Sequence, residues 1–77
     1  MATVKVYSTP TCPYCVMAKD YLKKNGVAFE DIDVSQDAAA AEYMIRKSGQ
    51  TGVPVIEIDG YMIRGFDVPE IKRKLKL

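Results

Sequence analysis

Histidine is absent from the chain, which removes both the commonest side-chain metal ligand and the commonest general base near neutral pH. Cysteine occurs only twice, and without histidine two thiols cannot complete a four-ligand zinc site. No stretch approaches the roughly 18 apolar residues of a membrane-spanning helix. The opening Met1-Ala2-Thr3-Val4-Lys5 lacks the basic segment followed by an apolar one that marks a secretory leader. Charge of one sign is also missing: 11 basic residues stand against 10 acidic ones, a net +1, so there is no strong field for nucleic acid or an anionic membrane. Linkers, repeats and low-complexity stretches are not evident. The expectation is a cytoplasmic, monomeric protein that recognises its partners through local contacts.

What is present is the balance of an ordinary folded domain, with 48% hydrophobic and 27% charged residues. At 77 residues the chain makes one domain, 1–77, which buries only about 60% of the surface of its unfolded form. Val4-Lys5-Val6-Tyr7 reads as a strand, and Ser8-Thr9-Pro10-Thr11 as a turn that also offers helix caps. From Pro13 to Lys24 the apolar Cys15, Ala18 and Leu22 recur three and four apart, with Asn25-Gly26 as the stop. A second strand is expected over about Ala28 to Asp33. A helix capped by Ser35 follows, with Gln36 and Asp37 in its first turn and Gly49 past its end. Within it, Ala38 to Ala41, Met44 and Ile45 are expected to form and pack the helix.

Val55-Ile56-Glu57-Ile58 and Tyr61-Met62-Ile63-Arg64 flank Asp59-Gly60, a hairpin signal because such a turn needs positive φ at both central positions. Asp67-Val68-Pro69-Glu70 has the spacing of a capping box ahead of a last helix that buries Ile71 and Leu75 and ends in basic residues. The order is βαβ then ββα. It predicts an α/β, thioredoxin-like fold: a four-stranded mixed sheet flanked by three helices.

Cys12-Pro13-Tyr14-Cys15 puts two thiols three positions apart at the start of a helix, directly after a strand. At that spacing only Cys12 sits where unpaired backbone N–H groups point outward. Cys12 is therefore expected to be the exposed nucleophile and Cys15, one turn inside, the resolving thiol. A free thiol is only about 3% thiolate at pH 7, so fast attack requires the anion to be stabilised. A helix N-terminus supplies about 0.3–2 kcal/mol of that. The remainder is expected from hydrogen bonds to sulfur by the N–H groups of Tyr14 and Cys15, with the Cys15 thiol as a further donor. A purely structural disulfide is the weaker reading, since so short a loop stabilises by only about 2 kcal/mol against about 4.7 for a 100-residue loop.

Thr11-Cys12-Pro13-Tyr14-Cys15, with Tyr7-Ser8 before it, resembles the active site of dithiol glutaredoxins. The resemblance extends over nearly the whole chain. It implies a thiol-disulfide oxidoreductase with no bound cofactor and no metal, using glutathione as co-substrate and acting on disulfide-containing or glutathionylated proteins. Gly52-Val53-Pro54 resembles the segment in which a cis-proline lies opposite the nucleophilic cysteine, which would let the Val53 backbone pair with an extended substrate. Arg64-Gly65-Phe66-Asp67 resembles the family's segment that holds the γ-glutamyl end of glutathione. Carried over residue by residue, the implied binding set is Tyr14, Thr51, Val53, Pro54, Gly65, Phe66 and Asp67. Tyr14 would be one wall of the groove, and Asp67, also a helix cap, would face the γ-glutamyl ammonium.

Many glutathione-using members have a lysine three residues before the nucleophile, and this chain has Thr9 there. Gln50 and Thr51 would then have to reach the glycyl carboxylate by neutral hydrogen bonds, roughly half as strong as charge-assisted ones. The alternative implied is a glutaredoxin-like redoxin reduced by thioredoxin reductase. A third reading, an iron–sulfur carrier using Cys12, is disfavoured by Pro13, because cluster-binding members mostly have a smaller residue or a single cysteine.

Overall fold

The computed structural model describes residues 3–77. The chain runs β1 (Val4–Ser8), α1 (Pro13–Lys24), β2 (Glu30–Asp33), α2 (Ala38–Ser48), β3 (Val55–Ile58), β4 (Tyr61–Arg64) and α3 (Val68–Leu75). One four-stranded sheet has the order β2-β1-β3-β4. β1 lies parallel to β2 and antiparallel to β3, and β4 lies antiparallel to β3. This is the expected thioredoxin-like arrangement.

Alternation along β1 and β3 sends side chains to two different cores. Val4, Val6, Ile56, Ile58 and Ile63 meet Ala18 and Leu22 of α1 and Ile71 of α3 on one face. Tyr7 and Val55 meet Met44 of α2 on the other, with Ile32, Tyr43, Val53 and Met62 at its margin. Because β1 and β3 are central, their two faces are both covered, which is why β3 is buried at every position. Glu57 is carried into the interior with them, 7% exposed. Tyr7 Oη donates to Glu57 Oε1 at 2.8 Å and Tyr43 Oη to Oε2 at 3.1 Å. Burial, then the hydrogen bond and charge of Glu57, raise the Tyr7 hydroxyl well above its ordinary range.

Local chemistry explains the ends of the elements and corrects several expectations. Asp59 and Gly60 have φ of 49° and 87°, the paired positive values of a type I′ turn. Gly49 ends α2 in the left-handed region, φ 73°. Ser35, expected to cap α2, does not: the cap is Asp37, whose Oδ1 accepts from the Ala40 N–H at 3.0 Å. Ser35 belongs to a turn closed by Asp33, whose Oδ1 accepts from both the N–H and the hydroxyl of Ser35. An aspartate two residues upstream competes for that backbone more strongly than a helix nucleus does. Gln36 and Asp37 accordingly precede the helix.

The second strand begins at Glu30 rather than Ala28, since the Val27 N–H is still used to close α1 through the Leu22 carbonyl. Ala38, Ala39 and Ile45 point to solvent, so the core share of α2 is narrower than expected. In α3 only one arm of the capping box forms. Asp67 Oδ1 accepts from the Glu70 N–H, while the Glu70 carboxylate turns to Tyr61 and Arg73. The basic end of α3 is likewise partly engaged, with Lys74 Nζ 3.9 Å from the centroid of the Tyr61 ring.

Candidate active site

The turn after β1 delivers Cys12 as the N-cap residue of α1, in extended conformation, with Pro13 in the first helical position. The Ser and Thr residues of that turn, expected to offer caps, are bypassed, and the thiol does the capping itself. The Cys15 N–H donates to Cys12 Sγ at 3.2 Å. Tyr14, the other expected donor, does not pair with the sulfur, because an N-cap side chain here reaches the third helical N–H and leaves the second turned outward. The Cys12 thiol donates to the Val53 carbonyl at 3.7 Å.

Cys15 faces inward and is fully buried, whereas Cys12 is half-buried. Burial pushes the Cys15 thiol up to about 11, reinforced by a hydrogen bond to Cys12, with the Thr9 backbone and the Lys19 charge acting in the opposite direction. Its sulfur is a poor nucleophile at neutral pH until its surroundings change. The pair are free thiols.

The Val53–Pro54 peptide is cis, as the family resemblance implied. Pro54 is buried, and its carbonyl accepts from the Gly65 N–H at 2.8 Å. That bond joins the Val53-Pro54 segment to the turn between β4 and α3, so Cys12, Val53, Pro54 and Gly65 form one connected ridge. Tyr14 is 63% exposed beside it. Thr51 is also exposed, but neither it nor Tyr14 makes a side-chain hydrogen bond to the ridge. Phe66 turns away to pack edge-on against Tyr21 of α1, with ring centroids 5.9 Å apart. The Gln50 side chain folds onto its own loop and donates to the Gly52 carbonyl at 3.0 Å. Among the described residues no group of three or more cysteine, aspartate and glutamate side chains could hold a metal ion.

The family model for glutaredoxins matches residues 4–63. The chain belongs to the glutaredoxin family. Glutaredoxin 3 of Escherichia coli K12 is 46% identical over 67 residues, covering 87% of this chain and 81% of the relative. Among solved structures, a mutant of the thioredoxin-like protein BC3987 superposes with a TM-score of 0.91 at 37% identity, covering 99% of this chain and 97% of the other. The glutaredoxin-like protein NrdH-redoxin from Escherichia coli, whose structure is described as the basis of a thioredoxin-like activity profile, gives a TM-score of 0.83 at 28% identity, with 92% of each chain covered. Members of the glutaredoxin family are thiol-disulfide oxidoreductases, and this one has both cysteines of the motif in place.

Sequence reasoning missed a polar cluster of three residues, one of which, Lys19, acts by its charge on the Cys15 thiol of this glutaredoxin. Lys19 Nζ lies 3.0 Å from Asp31 Oδ2 and 3.5 Å from Ser8 Oγ, and Ser8 Oγ donates to Asp31 Oδ1 at 2.9 Å. Burial opposes ionisation of Asp31, but hydrogen bonds from Lys19 and Ser8 outweigh it and hold its carboxyl below the usual range. The one sequence signal was the spacing of Lys19, four residues after Cys15 and thus on the same helix face.

Proposed function

We infer that the chain reduces protein disulfides and glutathione mixed disulfides through Cys12 and Cys15, with glutathione as the reductant. The observation that carries this reading is the inequality of the two thiols: one caps the helix at the surface, and the other is buried a turn below with its proton held to about 11. Cys12, as thiolate, attacks a substrate disulfide and forms a mixed disulfide while expelling one thiolate. Cys15 then gives up its proton and attacks the Cys12 sulfur, closing the Cys12–Cys15 disulfide and releasing the second substrate thiol. Two glutathiones in succession return the dithiol and leave as glutathione disulfide, so electrons balance.

In this reading the Val53 backbone pairs with the cysteinyl part of glutathione as a strand would, held in place by Pro54 and its bond to Gly65. Asp67 offers charge to the γ-glutamyl ammonium beside the N-terminus of α3, where the N–H groups around Phe66 and Asp67 suit a carboxylate. Tyr14 and Thr51 border the groove. The protein works as a single-domain monomer in the cytoplasm and needs no bound cofactor.

A second reading, reduction by thioredoxin reductase, is favoured by one specific observation: the position that would carry a lysine for the glycyl carboxylate is Thr9, and Gln50 is turned to Gly52. The likeness to NrdH-redoxin leans the same way. A coupled assay decides between them. Glutathione with glutathione reductase should support turnover of a mixed disulfide substrate. If only thioredoxin reductase does, the second reading replaces the first.

A further inference from the structure

Cys15 must lose a proton in every cycle that resolves a protein mixed disulfide, yet it is buried and held protonated at neutral pH. In the reduced protein, where Cys12 helps to hold that proton, only about one Cys15 in ten thousand is thiolate at pH 7. The environment of that sulfur therefore governs how fast the second step can run.

Four residues on, Lys19 stands over the same face of α1 as Cys15. Its side chain is only 21% exposed. The ammonium is held from two strands at once, by Ser8 at the end of β1 and Asp31 in β2. Ser8 is itself buried and donates to the same carboxylate, so the three groups close on one another. An ion pair of this kind adds only about 0–1 kcal/mol of stability when exposed, which gives little structural reason to hold an ammonium from two strands over the helix face that carries Cys15. β1 serves both groups: the hydroxyl of its last residue lies 3.5 Å from the Lys19 ammonium, and the backbone of the next residue, Thr9, favours the Cys15 thiolate.

We propose that Lys19, fixed by Ser8 and Asp31, is a positioning residue for the resolving step, its charge stabilising the Cys15 thiolate that attacks the mixed disulfide on Cys12. Once Cys12 is in a mixed disulfide it carries no charge and no longer holds the Cys15 proton. Lys19 is then the cation that acts on Cys15. The groups that face this corner are Cys12 and Lys23 from α1, Ser8 from β1 and Asp31 from β2. β3 and α3 contribute the apolar Ile56, Ile58 and Ile71 to that side of the sheet. In the step itself the Cys15–S bond to Cys12 forms, the bond from Cys12 to the substrate sulfur breaks, and the released thiolate takes up the proton that Cys15 lost.

The inference rests on the roles given above to Cys12 and Cys15, and the test separates the two. Reaction with 5,5′-dithiobis(2-nitrobenzoate) releases one chromophore as Cys12 is modified and a second as Cys15 displaces it. In stopped flow between pH 6 and 9, Lys19→Met should slow the second phase about three- to tenfold at pH 7 and shift its pH profile upward. The first phase should change less than twofold, since Cys12 lies about two helical turns from Lys19. Lys19→Arg, which keeps the charge, should restore the second phase to within about threefold of the parent, and matched thermal melts establish that both variants fold. A second phase indifferent to Lys19→Met, or one that Arg cannot restore, overturns the inference alone. A second phase that persists in Cys15→Ser overturns the assigned roles and the inference with them.

Discussion

Removing the Tyr7 hydroxyl tests how the buried carboxylate of Glu57 is tolerated. Tyr7→Phe keeps the ring, which is 2% exposed, and deletes the donor 2.8 Å from Glu57 Oε1. Tyr43 still serves Oε2, so one of two protein donors to a nearly enclosed carboxylate is lost. A hydrogen bond to a buried charged group contributes about 1.5–3 kcal/mol. A domain of this length has roughly 4–12 kcal/mol of total stability, so the loss is a large fraction of it. At about 4–8 °C per kcal/mol for so small a domain, the melting temperature of the reduced protein should fall by at least about 6 °C. The effect should be specific to the carboxylate: in a Glu57→Leu background, Tyr7→Phe should cost less than half as much, because no buried charge remains to be orphaned. Urea melts at pH 7 on the four proteins of this cycle give the coupling directly. A Tyr7→Phe cost below about 0.5 kcal/mol, or an equal cost in both backgrounds, would refute the account. The triad also matters for the site, since it locks β1, which leads to Cys12, against β3, which Val53 and Pro54 precede.

Cys12→Ser should abolish reduction of both protein disulfides and glutathione mixed disulfides, whereas Cys15→Ser should keep much of the second activity and lose the first; equal loss of both in Cys15→Ser would mean that the glutathione route is not used. Leu22→Ala, at a fully buried position between α1 and the sheet, should cost about 2–5 kcal/mol in a denaturant melt and leave the rate per folded molecule within twofold. The reduced protein should also weaken in alkali. The folded state keeps the Cys15 proton up to about 11, against an ordinary 9.0, so it binds more protons than the unfolded chain between those values. That contribution is complete below about pH 9 and lost as the pH rises towards 11. Urea melts at pH 8 and 10 should show the fall, and Cys15→Ser should show less of it.

The alternation of Val4 to Tyr7, the three-four spacing of Cys15, Ala18 and Leu22, and the Asp59-Gly60 turn were enough to determine the order of elements and hence the fold. Each is a local preference, set by backbone sterics and by which face of one element is apolar, and neighbouring residues carry it. The dithiol was legible for the same reason, since its spacing and its place at a helix start lie within a few residues. The start of the second helix was misread because Asp33 competes locally for the Ser35 backbone, a contest that propensity alone does not rank. What only the tertiary structure decided are pairings across long stretches of chain: Pro54 with Gly65, Tyr7 with Glu57, and Ser8 and Lys19 with Asp31. In the sequence these are separate polar or backbone groups with no pattern between them. They meet because a parallel β1–β2 pair and an antiparallel β1–β3 pair set the register, and a buried polar group must then find its partner wherever that register puts it.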